Sequence, residues 1–119
     1  MVRVPAGADG EGQIAAYLRA PAREAALVHV TGVVQGVGFR PFVRQLALRH
    51  GLAGWVLNSA GDVQILVEGS PDGVNAFVDA IRPEAPPLAR IEGLVRTLGV
   101  ALGLETFTIR RSREELNRR

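Results

Sequence analysis

The residues with the clearest potential for chemistry form the short run Gln35-Gly36-Val37-Gly38-Phe39-Arg40. Two glycines in a loop between a strand and a helix allow successive main-chain N–H groups to turn inward, and the positive end of the helix adds to an anion site. Arg40 falls in the first helical turn, where its guanidinium can present two donors to one phosphate. A cation at this position opposes the helix dipole, so stability alone does not favour it. The alternative is that the glycines only form a tight turn and that Arg40 is a surface cation.

Asn58 is the second candidate, because it ends a strand pattern just before a turn. Its amide offers one acceptor and two donors, which suits the holding of a water molecule. The alternative is structural, since Asn is a poor strand residue and a good turn residue that could simply begin a hairpin.

Other common chemistries are excluded by residue type. The chain has no Cys, and all 14 of its basic residues are Arg. Thiolate metal sites, cysteine nucleophiles, Schiff bases and P-loop lysines are therefore absent. His29 and His50 have no partner at metal-ligand spacing and are not expected to be catalytic. The scattered carboxylates indicate no acid/base pair.

Composition predicts one soluble globular domain. The chain has 119 residues, of which 47% are hydrophobic and 22% charged. No apolar run approaches the roughly 18 residues that a membrane span needs, and the first residues lack a signal-peptide core, which favours a cytoplasmic protein. The Arg residues are dispersed and aromatic residues make up 5% of the chain, so neither nucleic acid nor membrane is expected as a partner.

The elements that must position Arg40 and Asn58 follow from periodicity. The run 25–34 predicts a strand that enters the glycine loop. An amphipathic helix follows, with Pro41 in its first turn and Gly51 as its stop signal. Its apolar positions fall at offsets 0, 3, 4, 7 and 8, at Phe39, Phe42, Val43, Leu46 and Ala47.

Two short strands, 52–58 and 63–68, flank the turn signal Ser59-Ala60-Gly61-Asp62 and predict a hairpin. On the second strand, Val63, Ile65 and Val67 form the expected buried face. The same alternation predicts an outer row of Gln64, Leu66 and Glu68, in which only Leu66 is apolar.

Ser70-Pro71-Asp72 has the residues of a helix start, and Pro83 is expected to end this second helix. Its apolar stripe comprises Val74, Phe77, Val78 and Ile81. After the stiff connector Pro86-Pro87-Leu88, the last strands are predicted over 91–98 and 105–112, with a glycine-rich stretch at 99–103.

The resulting order is β-α-β-β-α-β with one extra C-terminal strand. It predicts an α+β, ferredoxin-like sandwich, in which two helices cover one face of an antiparallel sheet. The expected domain is 25–112, preceded by a flexible leader 1–24 with a short helix over 13–19 and followed by a polar tail 113–119. This fold hosts many activities and decides none of them.

Two motifs resemble the signatures of the acylphosphatase family. The first is Val30–Arg40, and the second is Gly54-Trp55-Val56-Leu57-Asn58, followed by Val63 and Gly69. The resemblance implies a ferredoxin-like fold and hydrolysis of carboxyl phosphates, including carbamoyl phosphate, without metal or cofactor. It implies that Arg40 and Asn58 are catalytic, with Asn58 orienting the attacking water. It also implies a substrate-binding loop made of Gln35, Gly36, Val37, Gly38, Phe39 and Arg40.

A narrower resemblance concerns Arg40-Pro41-Phe42-Val43 and the segment 86–91, which are similar to the N-terminal acylphosphatase-like domain of HypF-type carbamoyltransferases. Those proteins act in nickel–iron hydrogenase maturation. The resemblance implies missing C-terminal domains and a maturation partner protein, so the chain is expected to be an excised domain or a truncated product.

The short turn between Asn58 and Val63, and Leu57 in place of a polar residue, depart from simple acylphosphatases and favour the maturation-protein interpretation. Three interpretations stay open at this point. The chain could hydrolyse acyl phosphates, it could capture carbamoyl phosphate for a larger transferase, or it could serve only in docking.

Overall fold

The computed structural model describes residues 23–111. The predicted helix over 13–19, most of the predicted leader and the predicted polar tail lie outside this range. Within it, each predicted helix and strand is present in the predicted order. The elements are β1 (Glu24–Val33), α1 (Phe39–Arg49), β2 (Ala53–Ser59), β3 (Asp62–Gly69), α2 (Pro71–Glu84), β4 (Arg90–Gly99) and β5 (Phe107–Arg110).

The strands form one sheet in the order β4-β1-β3-β2-β5. β1 lies between β3 and β4 and is antiparallel to both, and β2 is antiparallel to β3. The extra strand β5 runs parallel to β2, from the pair Gly54–Phe107 onward. The predicted antiparallel arrangement holds for β1 to β4, and the extra strand, for which the sequence predicted no direction, joins the sheet in parallel. The connection 100–106 takes the chain from one edge strand, β4, to the other edge beside β2, so β5 starts from the same end of the sheet as β2.

Both helices pack on the same face of the sheet. The inward residues Val28 of β1 and Ile65 of β3 are directly opposite each other in register, and both are fully buried. They belong to one core with the predicted stripes of the two helices. Phe39, Val43, Leu46 and Ala47 supply the α1 part of this core, and Val74, Phe77 and Ile81 supply the α2 part. The ferredoxin-like fold is confirmed, and within residues 23–111 no helix covers the second face of the sheet.

The ends of the elements follow local backbone chemistry, with one correction. The β2–β3 hairpin turns through Ala60 and Gly61, both at positive φ, which is the geometry of a two-residue hairpin turn. Helix α2 has Ser70 as its N-cap, whose hydroxyl accepts from the Gly73 N–H at 3.1 Å. The prediction that Pro83 ends α2 was wrong, because the helix continues to Glu84 with Pro83 inside it. A proline this near the C-terminus costs little more than one hydrogen bond, and Pro86 restricts the residue before it to an extended conformation.

The prediction that Glu68 lies in a polar outer row of β3 was wrong. Its side chain is fully buried. The carboxylate accepts from the main-chain N–H groups of Leu102, at 2.7 Å, and Leu104, and from the Arg23 guanidinium at 3.0 Å. Burial raises the pKa of Glu68, but these hydrogen bonds and the charge of Arg23 outweigh that effect and the pKa is lowered. Glu68, which the strand alternation predicts to face solvent, thus holds the β4–β5 connection against the sheet.

Candidate functional site

The loop between β1 and α1 presents main-chain N–H groups at the start of a helix. Gly36 and Gly38 have φ values of +73° and +79°, in the left-handed region that favours glycine. Gly38 is the N-cap of α1, and no side chain caps the helix there. Within residues 23–111, the N–H groups of Gly36, Val37 and Gly38 donate to no main-chain carbonyl. The first turn of α1 contains no acidic residue, so the donors and the helix dipole favour a negatively charged ligand.

A cavity of about 140 Å³ opens at this loop. This volume is sufficient for a small anion such as phosphate. The cavity brings together residues from the loop, from the first turn of α1 and from β2. It is lined by Val34, Gln35, Gly36, Gly38, Phe39, Arg40, Pro41 and Asn58.

The predicted loop residues contribute to this cavity in different ways. Arg40 is half-buried in the first turn of α1 and lines the cavity. The Phe39 side chain is buried in the core, where its ring contacts that of Phe42 at 5.6 Å between centroids. Val37 is half-buried against the core and is not among the lining residues. Phe39 can therefore reach a ligand only through its main chain.

Asn58 comes to the same cavity from β2, where it pairs with Val63 across the hairpin. Its Oδ1 atom is buried, and it has no hydrogen-bond partner among the described residues. A buried acceptor without a partner costs about 1–3 kcal/mol, which a water molecule or ligand in the cavity would offset. Asn58 thus brings a buried acceptor with no described partner to the residues that line the anion site.

A contact that the sequence could not reveal lies next to the cavity. His29 Nε2 is 2.8 Å from Asp62 Oδ2, and the main-chain carbonyl of Asp62 accepts a hydrogen bond from Gln35 Nε2 at 3.2 Å. His29 lies on the face of β1 opposite the buried Val28 and Val30. It lines a groove on this open face of the sheet, the open-face groove, together with Leu27, Thr31, Gln64, Val95 and Thr97. His50 caps the other end of α1, away from the cavity.

The arrangement can bind a small anion with main-chain donors and one guanidinium, with an unsatisfied acceptor beside it. Among the residues described, no group of three or more His, Asp or Glu is placed to hold a metal ion. Neither α1 nor α2 has the length and apolar character needed to cross a membrane.

The sequence matches the family profile described as Acylphosphatase over residues 26–104. A carbamoyltransferase HypF from Rhizobium leguminosarum bv. viciae is 44% identical over 96 residues, which are 81% of this chain and 12% of that protein. An acylphosphatase from Salinibacter ruber is 42% identical over 84 residues, which are 69% of this chain and 87% of that protein. The chain therefore spans about a tenth of the length of its HypF relatives and most of the length of a stand-alone acylphosphatase.

Solved structures have the same fold. A full-length HypF in its phosphate- and nucleotide-bound form superposes with a TM-score of 0.74 at 34% identity, over 76% of this chain and 12% of that one. An acylphosphatase from Bacillus subtilis gives a TM-score of 0.69 at 36% identity, over 72% of this chain and 97% of that one. The fold is thus shared with proteins of both kinds.

Proposed function

The chain belongs to the acylphosphatase family, and we propose that it hydrolyses acyl phosphates in the cavity between the glycine loop and Asn58. The observation that carries this proposal is that Asn58 lines the same cavity as Gly36, Gly38 and Arg40, and that its Oδ1 is a buried acceptor with no partner among the described residues. An anion site alone would bind phosphate, but an acceptor beside it can also orient a nucleophile.

In this proposal the phosphoryl group binds the glycine loop. The main-chain N–H groups of the loop and the Arg40 guanidinium donate to the phosphoryl oxygens and stabilise the charge that spreads over them in the transition state. The half-buried setting of Arg40 strengthens these bonds relative to bulk water. The loop supplies the orientation that phosphoryl transfer chiefly requires.

Asn58 then acts on the water. Its Oδ1 accepts a hydrogen bond from a water molecule and points the water oxygen at phosphorus. An O–P bond forms to the water as the bond between phosphorus and the acyl oxygen breaks, and the acyl group leaves as a carboxylate. The described lining contains no His, Asp or Glu, so a phosphoryl oxygen takes the proton from the water. The products are inorganic phosphate and a carboxylate.

We further propose carbamoyl phosphate as the substrate, with the chain acting as the N-terminal part of a hydrogenase-maturation carbamoyltransferase. The support is the similarity to HypF carbamoyltransferases over 81% of this chain. Hydrolysis of carbamoyl phosphate would release carbamate. In a full-length protein, the remaining domains would use that product.

The test is phosphate release from acetyl, benzoyl and carbamoyl phosphate in the presence of EDTA. We expect turnover of all three, with inorganic phosphate as a competitive inhibitor that perturbs the NMR amide signals of residues 36–40. Phosphate titration that moves no signal in this loop would show that the site lies elsewhere.

A second function is favoured by one observation, which is that the chain spans about a tenth of the HypF relatives it matches. In that case the cavity captures carbamoyl phosphate for a larger transferase and does not hydrolyse it. Tight phosphate binding together with the absence of phosphate release in EDTA would favour this binding function over hydrolysis.

A further inference from the structure

The contact between His29 and Asp62 lies beside the cavity without lining it. His29 Nε2 and Asp62 Oδ2 are 2.8 Å apart, and because an ionised carboxylate only accepts, Nε2 is the donor. The two side chains are 45% and 34% exposed. An exposed pair of this kind adds little to the stability of a fold. Any role in function therefore depends on which residues the pair positions.

Asp62 connects this pair to the glycine loop. Its side chain contacts His29 on β1, while its main-chain carbonyl accepts from Gln35 Nε2 at 3.2 Å. Gln35 is exposed and lies at the start of the loop. The side-chain amide that could have turned toward a ligand is therefore engaged in holding the loop against the first residue of β3.

Asp62 is also close in the chain to Asn58. It begins β3 directly after the turn and pairs with Ser59, while the next pair of the hairpin is Asn58 with Val63. A shift of Asp62 therefore changes the separation between the Gln35 side of the cavity and the Asn58 side. His29 limits that shift because β1 is a central strand, paired on both sides.

We infer that His29 and Asp62 form a positioning pair, which holds Gln35 and its loop in register with Asn58. The consequence for turnover rests on the proposed hydrolysis, whereas the dependence of Gln35 on His29 does not. Phosphate needs only the loop and Arg40, so loss of the pair should spare phosphate affinity and misalign the water. Misplacement on the order of 1 Å can cost about 100-fold in rate.

The experiment compares wild type, His29→Ala, His29→Gln and the control Gln64→Ala. Gln64 is the register partner of His29 and lines the same open-face groove. We expect His29→Ala to lower kcat for benzoyl phosphate about 10-fold, to leave the phosphate Kd within about twofold, and to shift the NMR side-chain amide signals of Gln35. His29→Gln keeps a donor of similar reach, so it should restore both kcat and the Gln35 signals. Gln64→Ala should change neither.

The outcomes separate this inference from the proposed function. If wild type hydrolyses no acyl phosphate, the proposed hydrolysis fails. The NMR signals of Gln35 alone then test whether His29 and Asp62 position Gln35. The positioning pair is supported if the side-chain amide signals of Gln35 shift in His29→Ala but keep their wild-type positions in His29→Gln and in Gln64→Ala. Unmoved Gln35 signals in His29→Ala overturn it at any level of activity. If wild type is active, three results for kcat also overturn the inference. These are an unchanged kcat in His29→Ala, an equal fall in Gln64→Ala, and no recovery in His29→Gln.

Discussion

Replacement of Asn58 by Ala separates a catalytic role from a structural one, because the two roles predict opposite changes in stability. Asn58 Oδ1 is buried with no hydrogen-bond partner among residues 23–111. Its removal therefore breaks no described hydrogen bond, and an unsatisfied buried acceptor costs about 1–3 kcal/mol. We expect Asn58→Ala to leave the free energy of unfolding unchanged or to raise it by up to that amount.

The expected effect on turnover has the opposite sign. If Asn58 holds the attacking water, kcat falls by at least about 100-fold, the usual cost of removing one positioned polar group. This corresponds to about 2.7 kcal/mol in the activation free energy. Phosphate affinity should stay within about twofold of wild type, because the loop and Arg40 are intact and the lost interaction belongs to the transition state.

The assay is phosphate release from benzoyl phosphate in EDTA, with phosphate Kd by titration and stability by urea unfolding. Ser59→Ala is the matched control, since Ser59 is the next residue of β2 and does not line the cavity. A structural role would give the reverse pattern, in which Asn58→Ala loses more than about 1 kcal/mol of stability and keeps kcat. That result would refute the reasoning and make Asn58 a turn residue.

Substitutions at three further positions test the cavity and the fold around it. Arg40→Ala is expected to reduce kcat/KM for acyl phosphates about 100- to 1,000-fold, and Arg40→Lys should recover little of it, since a point charge cannot replace a guanidinium with two parallel donors. Gly36→Ala should lower the free energy of unfolding by about 1–2 kcal/mol in urea titrations, because Gly36 has a φ of +73° although a Cβ there would contact nothing within 4 Å. Glu68→Gln should lower the free energy of unfolding by about 3 kcal/mol, since the buried carboxylate loses its ion pair with the half-exposed Arg23 and one of the two main-chain N–H groups loses its acceptor. Because the pKa of Glu68 is lowered on folding, its contribution is present above the ordinary value of 4.5 and is lost as the pH falls through the lowered value. Urea unfolding from about pH 7 to about pH 3 should show this loss in wild type and a smaller one in Glu68→Gln.

The sequence by itself determined the features that depend on near neighbours in the chain. The offsets of Phe39, Val43 and Leu46 specify a helix with one buried side, and Ala60-Gly61 specifies a tight hairpin, because the backbone geometry of a few residues decides each of them. The run 35–40 likewise indicated a glycine loop at a helix start. The roles of Arg40 and Asn58 on a substrate stay predictions.

Only the tertiary structure decided what depends on strand order and on the path of the connections. β5 is parallel to β2 because residues 100–106 return the chain to the other edge of the sheet, and nothing in the local pattern of 107–110 carries that direction. Glu68 is buried because the same connection supplies its partners, at a separation of more than 30 residues. The meeting of Asn58 with the glycine loop, and that of His29 with Asp62, depend on β3 lying between β1 and β2. Residue periodicity determines which face of the sheet a side chain occupies. Which other residues it contacts there depends on pairing between strands that are distant in the sequence, and this pairing exists only in the folded sheet.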